Sequence, residues 1–121
     1  MSTVLIVDDS NTLREMISDV LKQTGVTVVQ ASDGMEAKEK IDAKSPDLVI
    51  TDLIMPRMNG YELCRWIKSN PKTEKLPVII CSTKNEEFDR YWGMKQGADA
   101  YIAKPFQSAD LLEVVQKLLP K

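Results

Sequence analysis

The chain has 121 residues, 43% of them hydrophobic, with 16 basic and 18 acidic side chains giving a formal net charge of -2. This is the size of one domain with one core; the interspersed charge disfavours nucleic acid as a direct partner, and no apolar run is long enough for a membrane span or signal peptide, so a cytoplasmic location is expected. Histidine is absent, which removes His-based acid–base catalysis, His-ligated zinc and a phosphohistidine donor role.

The first apolar run, Val4 to Val7, predicts a strand and ends on Asp8 and Asp9. A helix is predicted from about Asn11 to Thr24, with Leu13, Met16, Ile17, Val20 and Leu21 on one face and Gly25 as its stop. Val26 to Ala31 reads as the second strand. The second helix begins near Gly34, capped by Asp33, and turns Ala37 and Ile41 inward. The third strand, Leu48 to Thr51, ends on Asp52. After Met55-Pro56, Gly60 opens a third helix with Leu63, Cys64 and Ile67 apolar, closing near Ser69-Asn70-Pro71. Trp66 on that helix is expected to pack against a neighbouring helix, away from any site.

Val78 to Cys81 predicts the fourth strand, followed by Ser82-Thr83. The fourth helix runs roughly from Glu86 to Gln96 and stops at Gly97. Its Phe88, Tyr91, Trp92 and Met94 exceed what an inward face needs, so part of that surface covers the sheet edge or forms a contact site, with Trp92 assigned to the core. The last strand, Ala100 to Ala103, closes on Lys104-Pro105, and a fifth helix after Ser108 carries Leu111, Leu112, Val115, Leu118 and Leu119. Five alternations of strand and helix predict a single α/β domain over 1–121, its parallel sheet covered on both faces. The chain stops at Lys121 directly after the last helix, so no output domain is expected. Cys64 and Cys81 form no metal-spaced pair and read as reduced, buried small hydrophobes.

A charged side chain at the end of a buried strand is costly unless something uses it. If the strands are parallel neighbours, their C-terminal ends gather Asp8, Asp9, Asp52 and Lys104 in the crevice where open α/β sheets bind ligands. Three carboxylates and one ammonium suggest a metal-assisted phosphoryl site. Taken singly, Asp52 reads as a cap or turn residue, Asp8 or Asp9 as the first acid of a helix, and Lys104 as solvated surface. All of these readings would have to coincide on adjacent strand ends, which favours a shared site.

Val7-Asp8-Asp9-Ser10, Asp52 with Met55-Pro56 and Gly60, Ser82-Thr83, Gly97-Ala98 and Lys104-Pro105-Phe106 together resemble the receiver domains of two-component response regulators, especially stand-alone CheY-like members. The resemblance spans essentially the whole chain. It implies a doubly wound, flavodoxin-like five-stranded parallel sheet of order 2-1-3-4-5 flanked by five helices. It also implies Mg²⁺ (or Mn²⁺), ligated by Asp9 and Asp52, by Asp8 largely through water, and by the Ile54 main-chain oxygen. Asp52 would be the phosphoacceptor, with Lys104, the Ser82 hydroxyl and backbone N–H groups near Thr83 holding the phosphoryl oxygens. Ser82 and Tyr101 resemble the family's switch pair, Lys104-Pro105 its cis peptide, and Ile54 and Lys84 the positions that tune phosphate lifetime. The Asp89 to Ala98 segment is similar to single-domain regulators of twitching motility and phototaxis.

The expected partners are therefore a sensor histidine kinase or a histidine phosphotransfer protein, and a downstream protein meeting the helix 4/strand 5/helix 5 face. The protein itself is expected to be a monomer, catalytic only toward its own phosphorylation and dephosphorylation. A phosphorelay intermediate or phosphate sink is the alternative within signalling. An aspartyl-phosphate phosphatase is disfavoured because Ile54 stands where such enzymes carry a second acid. A flavodoxin-like electron carrier is disfavoured because Asp8 and Asp9 would repel a flavin phosphate, and no G-x-G-x-x-G dinucleotide motif is present.

Overall fold

A computed structural model describes residues 2–120. Strands and helices alternate as β1 (Thr3–Val7), α1 (Asn11–Lys22), β2 (Thr27–Ala31), α2 (Gly34–Lys44), β3 (Leu48–Thr51), α3 (Gly60–Ser69), β4 (Val78–Ser82), α4 (Glu87–Lys95), β5 (Ala100–Ala103) and α5 (Ser108–Leu118). All strands are parallel, in the order β2-β1-β3-β4-β5. This is the predicted doubly wound sheet.

Side chains alternate across the sheet, so each central strand feeds two cores. Val4, Ile6, Leu48, Ile50, Ile79 and Cys81 meet Ile17 and Leu21 of α1 and Leu111 and Val115 of α5. Leu5, Val7, Val49, Val78 and Ile80 meet Ala37 and Ile41 of α2 and Leu63, Cys64 and Ile67 of α3. Burial of this kind contributes roughly 1.5–3 kcal/mol per large aliphatic side chain, which is why the central strands read as continuous apolar runs. Trp66 packs at the rim of the second core, with the Lys38 ammonium of α2 lying 5.0 Å from its ring centre. Burial raises the thiol pKa of Cys64 to about 11 and of Cys81 to about 12, so both remain protonated at neutral pH.

Local chemistry sets the boundaries. Ser10 Oγ accepts from Leu13 N–H at 3.2 Å and Asp33 Oδ1 from Glu36 N–H at 2.8 Å, while Asn59 and Glu62 cap α3 reciprocally. α1 ends at Lys22 rather than Thr24, because Thr24 turns its hydroxyl onto the Leu21 carbonyl before Gly25 takes φ +86°. β2 starts at Thr27, one residue later than predicted. Met16, expected on the inward face of α1, is 45% exposed. Trp92, expected in the core, is 39% exposed on α4, whose only buried residue is Gly93. Gly93 lies so close to Tyr101 and Ile80 that a Cβ there would sit about 3 Å from both side chains; the helix rests on the sheet through its backbone and turns its large side chains outward.

Two variants test this packing. The first turn of α3 lies against the end of β3: Gly60 N–H donates to the Leu53 carbonyl at 2.8 Å, and a Cβ at Gly60 would overlap the Asp52 carbonyl oxygen. Gly60→Ala is expected to cost about 1–3 kcal/mol by overpacking, read as a lower urea midpoint with an unchanged slope. Among the described residues, Ser18 Oγ in α1 is the buried side-chain polar atom without a hydrogen-bond partner. Ser18→Ala should therefore stabilise the protein by about 1 kcal/mol, seen as a higher urea midpoint; a drop would show that the hydroxyl is satisfied.

Candidate functional site

Three strands deliver the charged groups to one edge of the sheet. β1 and β3 are neighbours with Val7 level with Thr51, so Asp8 and Asp52, the next residue on each, emerge side by side. Oxygen atoms of Asp8, Asp9 and Asp52 lie within 4.8 Å of one another. Lys104, at the end of β5, reaches back across the β4 and β3 ends. Its Nζ lies 2.7 Å from Asp8 Oδ2 and 3.7 Å from Asp52 Oδ1.

Their surroundings differ. The Asp8 carboxylate is buried, accepting from Ser10 N–H at 2.9 Å through Oδ1 and from Lys104 through Oδ2. Asp52 is half-buried and accepts from Leu53 N–H at 2.7 Å, whereas Asp9 is exposed. Burial pushes the Asp52 pKa above its ordinary value and the charges of Asp8 and Asp9 push the same way, against Lys104 and the Leu53 N–H. For Lys104, burial would lower the pKa, but the Asp8 hydrogen bond and the charges of Asp52 and Asp8 outweigh it and hold the ammonium above its usual range. One ammonium among three carboxylates leaves two negative charges uncompensated. That charge, an all-oxygen donor set and an opening toward water at Asp9 fit a hard divalent ion such as Mg²⁺.

A second group lies at the end of β4. Ser82 is fully buried, and its Oγ accepts from Lys84 N–H at 3.1 Å. The Lys84 carbonyl in turn accepts from the Tyr101 hydroxyl of β5. Burial lifts the Tyr101 phenol to about 12, and the Arg90 guanidinium lies 5.3 Å from its ring centre. Thr83 is exposed just beyond the strand. Ile54 is 58% exposed, and with Lys84, Leu53, Asn59, Tyr61 and Asp89 it lines a cavity of about 160 Å³. The Lys104–Pro105 peptide is cis. A larger cavity, about 590 Å³, lies at the other end of the molecule between Ile41, Ser45, Trp66, Thr73 and Leu76, and none of the three clustered acids lines it. Charge rather than volume marks the site.

Two supporting residues escaped sequence reasoning. Arg14 of α1 donates from Nη1 to the Asp8 carbonyl at 2.5 Å and from Nε to Gln30 Oε1 at 3.1 Å, fixing the turn that carries Asp8 and Asp9. Its position opposite the polar Gln30 of β2 was the available signal. Arg57, at φ +66° in the loop after Asp52, makes a forked pair with Asp33 at 2.9 and 3.0 Å. Nothing in the local sequence marks a residue 24 positions away as its partner. The Glu36 N–H, followed by the Arg57 pair, holds the Asp33 carboxyl below its usual range.

Residues 4–116 match the family model of the response regulator receiver domain. Protein PilG of Pseudomonas aeruginosa is 38% identical over 97% of this chain and 87% of its own length. Protein PilH of the same organism is 35% identical, over 98% of both chains. Among solved structures, the Vibrio cholerae chemotaxis protein CheY4 superposes with a TM-score of 0.92 at 33% identity, covering 98% of this chain and 99% of that one. No helix among the described residues is long and apolar enough to cross a membrane. Matched from its first strand into its last helix, and with its acids gathered where the parallel strands end, the chain belongs to the response regulator receiver domain family and is of the CheY-like type.

Proposed function

We propose that this chain is a cytoplasmic, phosphorylation-activated single-domain response regulator. In this reading Asp52 takes a phosphoryl group from a sensor histidine kinase or histidine phosphotransfer protein, with Mg²⁺ (or Mn²⁺), and the α4–β5–α5 face changes its affinity for a downstream protein. The observation that carries it is the convergence of Asp8, Asp9 and Asp52 within 4.8 Å, with the Lys104 ammonium between Asp8 and Asp52. Family membership supports a role in two-component signalling. The similarity of the Asp89 to Ala98 segment to regulators of twitching motility favours a motility pathway.

Donor phosphate and Asp52 are both negative, and a divalent ion bound at the carboxylates would screen their approach. The Asp52 carboxylate attacks phosphorus in line; the P–O bond forms as the P–N bond to the donor imidazole breaks. The Leu53 N–H holds Asp52 Oδ1 in a fixed direction, which lowers the cost of orienting the nucleophile. Lys104 needs only to swing from Asp8 to reach a phosphoryl oxygen on Asp52, since it already lies 3.7 Å from Oδ1. Ser82 Oγ offers its hydroxyl to another oxygen, and Thr83 a backbone N–H.

The same hydroxyl supplies a switch. Drawn toward the phosphoryl group, Ser82 Oγ gives up the Lys84 N–H, and the loop whose carbonyl holds the Tyr101 hydroxyl is freed to move. That biases the ring and α4 toward a second arrangement already present at low population.

Two outcomes are expected. A small-molecule phosphodonor with Mg²⁺ should add one base-labile phosphoryl group, abolished in Asp52→Asn and weakened through the metal in Asp9→Ala; intact-mass spectrometry reads it, and persistent labelling of Asp52→Asn would sink the assignment. Ile54 and Lys84 line one cavity beside Leu53; in this reading they border the approach to Asp52, an apolar wall and a cation where an amide or acid could hold water. An Ile54→Asn, Lys84→Glu double variant should lose phosphate faster, by about tenfold or roughly 1.4 kcal/mol in the barrier. Equal or slower loss at matched Mg²⁺ would remove the argument.

A further inference from the structure

We propose that Tyr61 of α3 is a latch on α4: its hydroxyl holds the first turn of that helix in the unphosphorylated arrangement and so opposes the switch, an inference that rests on the function proposed above. α4 buries only Gly93, so hydrogen bonds from its neighbours, more than apolar packing, carry its attachment. Three residues of α3 at i, i+3 and i+7, one face of that helix, supply them. The Tyr61 hydroxyl donates to the Asp89 carbonyl in the first turn of α4 at 3.0 Å, the Cys64 thiol to the Gln96 carbonyl at its C-cap at 3.5 Å, and the Lys68 ammonium to Asp99 just beyond at 2.9 Å. The C-terminal end of α4 is therefore held by the last two and by the buried Ala98 behind them. Among the described residues, the hydrogen bond from α3 to the first turn is that of Tyr61 alone.

The two helices joined by that bond differ in their freedom to move. α3 is pinned where it starts, by Gly60 N–H on the Leu53 carbonyl at 2.8 Å and by the reciprocal cap of Asn59 and Glu62, and the Tyr61 ring packs against the core. α4 follows directly on the loop that Ser82 and Tyr101 hold through Lys84, with Asp89 five positions after Lys84. When Ser82 Oγ turns toward a phosphoryl group, movement of that loop enters α4 at the turn that Tyr61 holds, and the better tethered C-terminal end acts as the pivot.

A shift of about 1 Å carries a 3.0 Å hydrogen bond beyond its range. Once released, the hydroxyl meets water, because Tyr61 and Asp89 line the same cavity of about 160 Å³ as Lys84. Burial, and after it the charge of Asp89, raises the phenol pKa above its ordinary value, so Tyr61 remains a donor at neutral pH. The bond thus stabilises one arrangement and contributes nothing to the other. Removing it raises the population of the second arrangement and, by linkage, tightens the binding of any ligand that selects it.

The test uses the full chain at saturating Mg²⁺ and beryllofluoride, a stand-in for the phosphoryl group on Asp52, with binding followed by fluorine NMR. Tyr61→Phe keeps the ring in the core and removes only the hydroxyl, and it should bind beryllofluoride about fivefold more tightly than the unaltered chain. Amide hydrogen exchange at Arg90 to Gly93 should be faster in Tyr61→Phe without beryllofluoride and equal in the two proteins when both are saturated, while α1 and α5 exchange alike throughout. A merely structural role would speed exchange across the fold and would not tighten binding. Saturable, Asp52-dependent binding that Tyr61→Phe leaves unchanged or weakens would overturn the latch alone, as would faster exchange that persists at saturation. No saturable binding to the unaltered chain, or undiminished binding to Asp52→Asn, would overturn the proposed function and the latch with it.

Discussion

The ion pair between Lys104 and Asp8, residues 96 positions apart, is the constraint on which the rest of the site depends. Asp8 is buried at the end of the central strand β1, where an unpaired carboxylate would be strongly destabilising. Lys104 arrives from the edge strand β5 and can reach it only because β3 and β4 are parallel to both and end at the same level. The sheet order therefore decides which charges meet. With one acid matched by one ammonium, Asp9 and Asp52 keep charge facing the opening, so the same contact that makes Asp8 tolerable leaves the pocket a deficit suited to a divalent cation.

The two ends of the site are mechanically unlike. Asp8 and Asp9 sit on a turn braced by Arg14 and the Ser10 N–H, and Asp52 sits between the buried β3 and a loop clamped by Arg57 onto Asp33. The β4–α4 side is held by a shorter chain of contacts, Ser82 to Lys84 to Tyr101. α4 buries one residue and rests on β5 through a glycine. Elements with few buried apolar contacts open at low free-energy cost. A hydroxyl drawn toward Asp52 would thus pull on the least anchored helix of the fold, and that helix presents the largest exposed apolar surface.

The elements and most of the core were legible in the sequence because they follow local rules, while boundaries moved by one or two residues and Met16 turned outward. Apolar runs of four or five residues fixed β1, β3 and β4, i±3 and i±4 spacing fixed α1, α3 and α5, and Asp33, Gly25 and Gly97 mark helix ends. Asp8, Asp9, Asp52 and Lys104 were visible as charges stranded at the ends of those runs, and the resemblance ordered the strands. α4 was read less well. Its period is weak, and Trp92 was placed inside because a large aromatic normally repays burial; a backbone already in contact with Tyr101 and Ile80 leaves no depth for an indole.

What the sequence determined by itself is the list of charged residues at strand ends and the alternation that makes the sheet parallel, since both depend on neighbours a few positions apart. Tertiary structure alone decided that Lys104 pairs with Asp8 in preference to Asp52, that Arg14 and Arg57 brace the loops, and that the face of α4 opposite Gly93 stays in solvent. Each of these is a choice among side chains brought together by the strand order, settled by distances of one or two ångströms that no local pattern encodes.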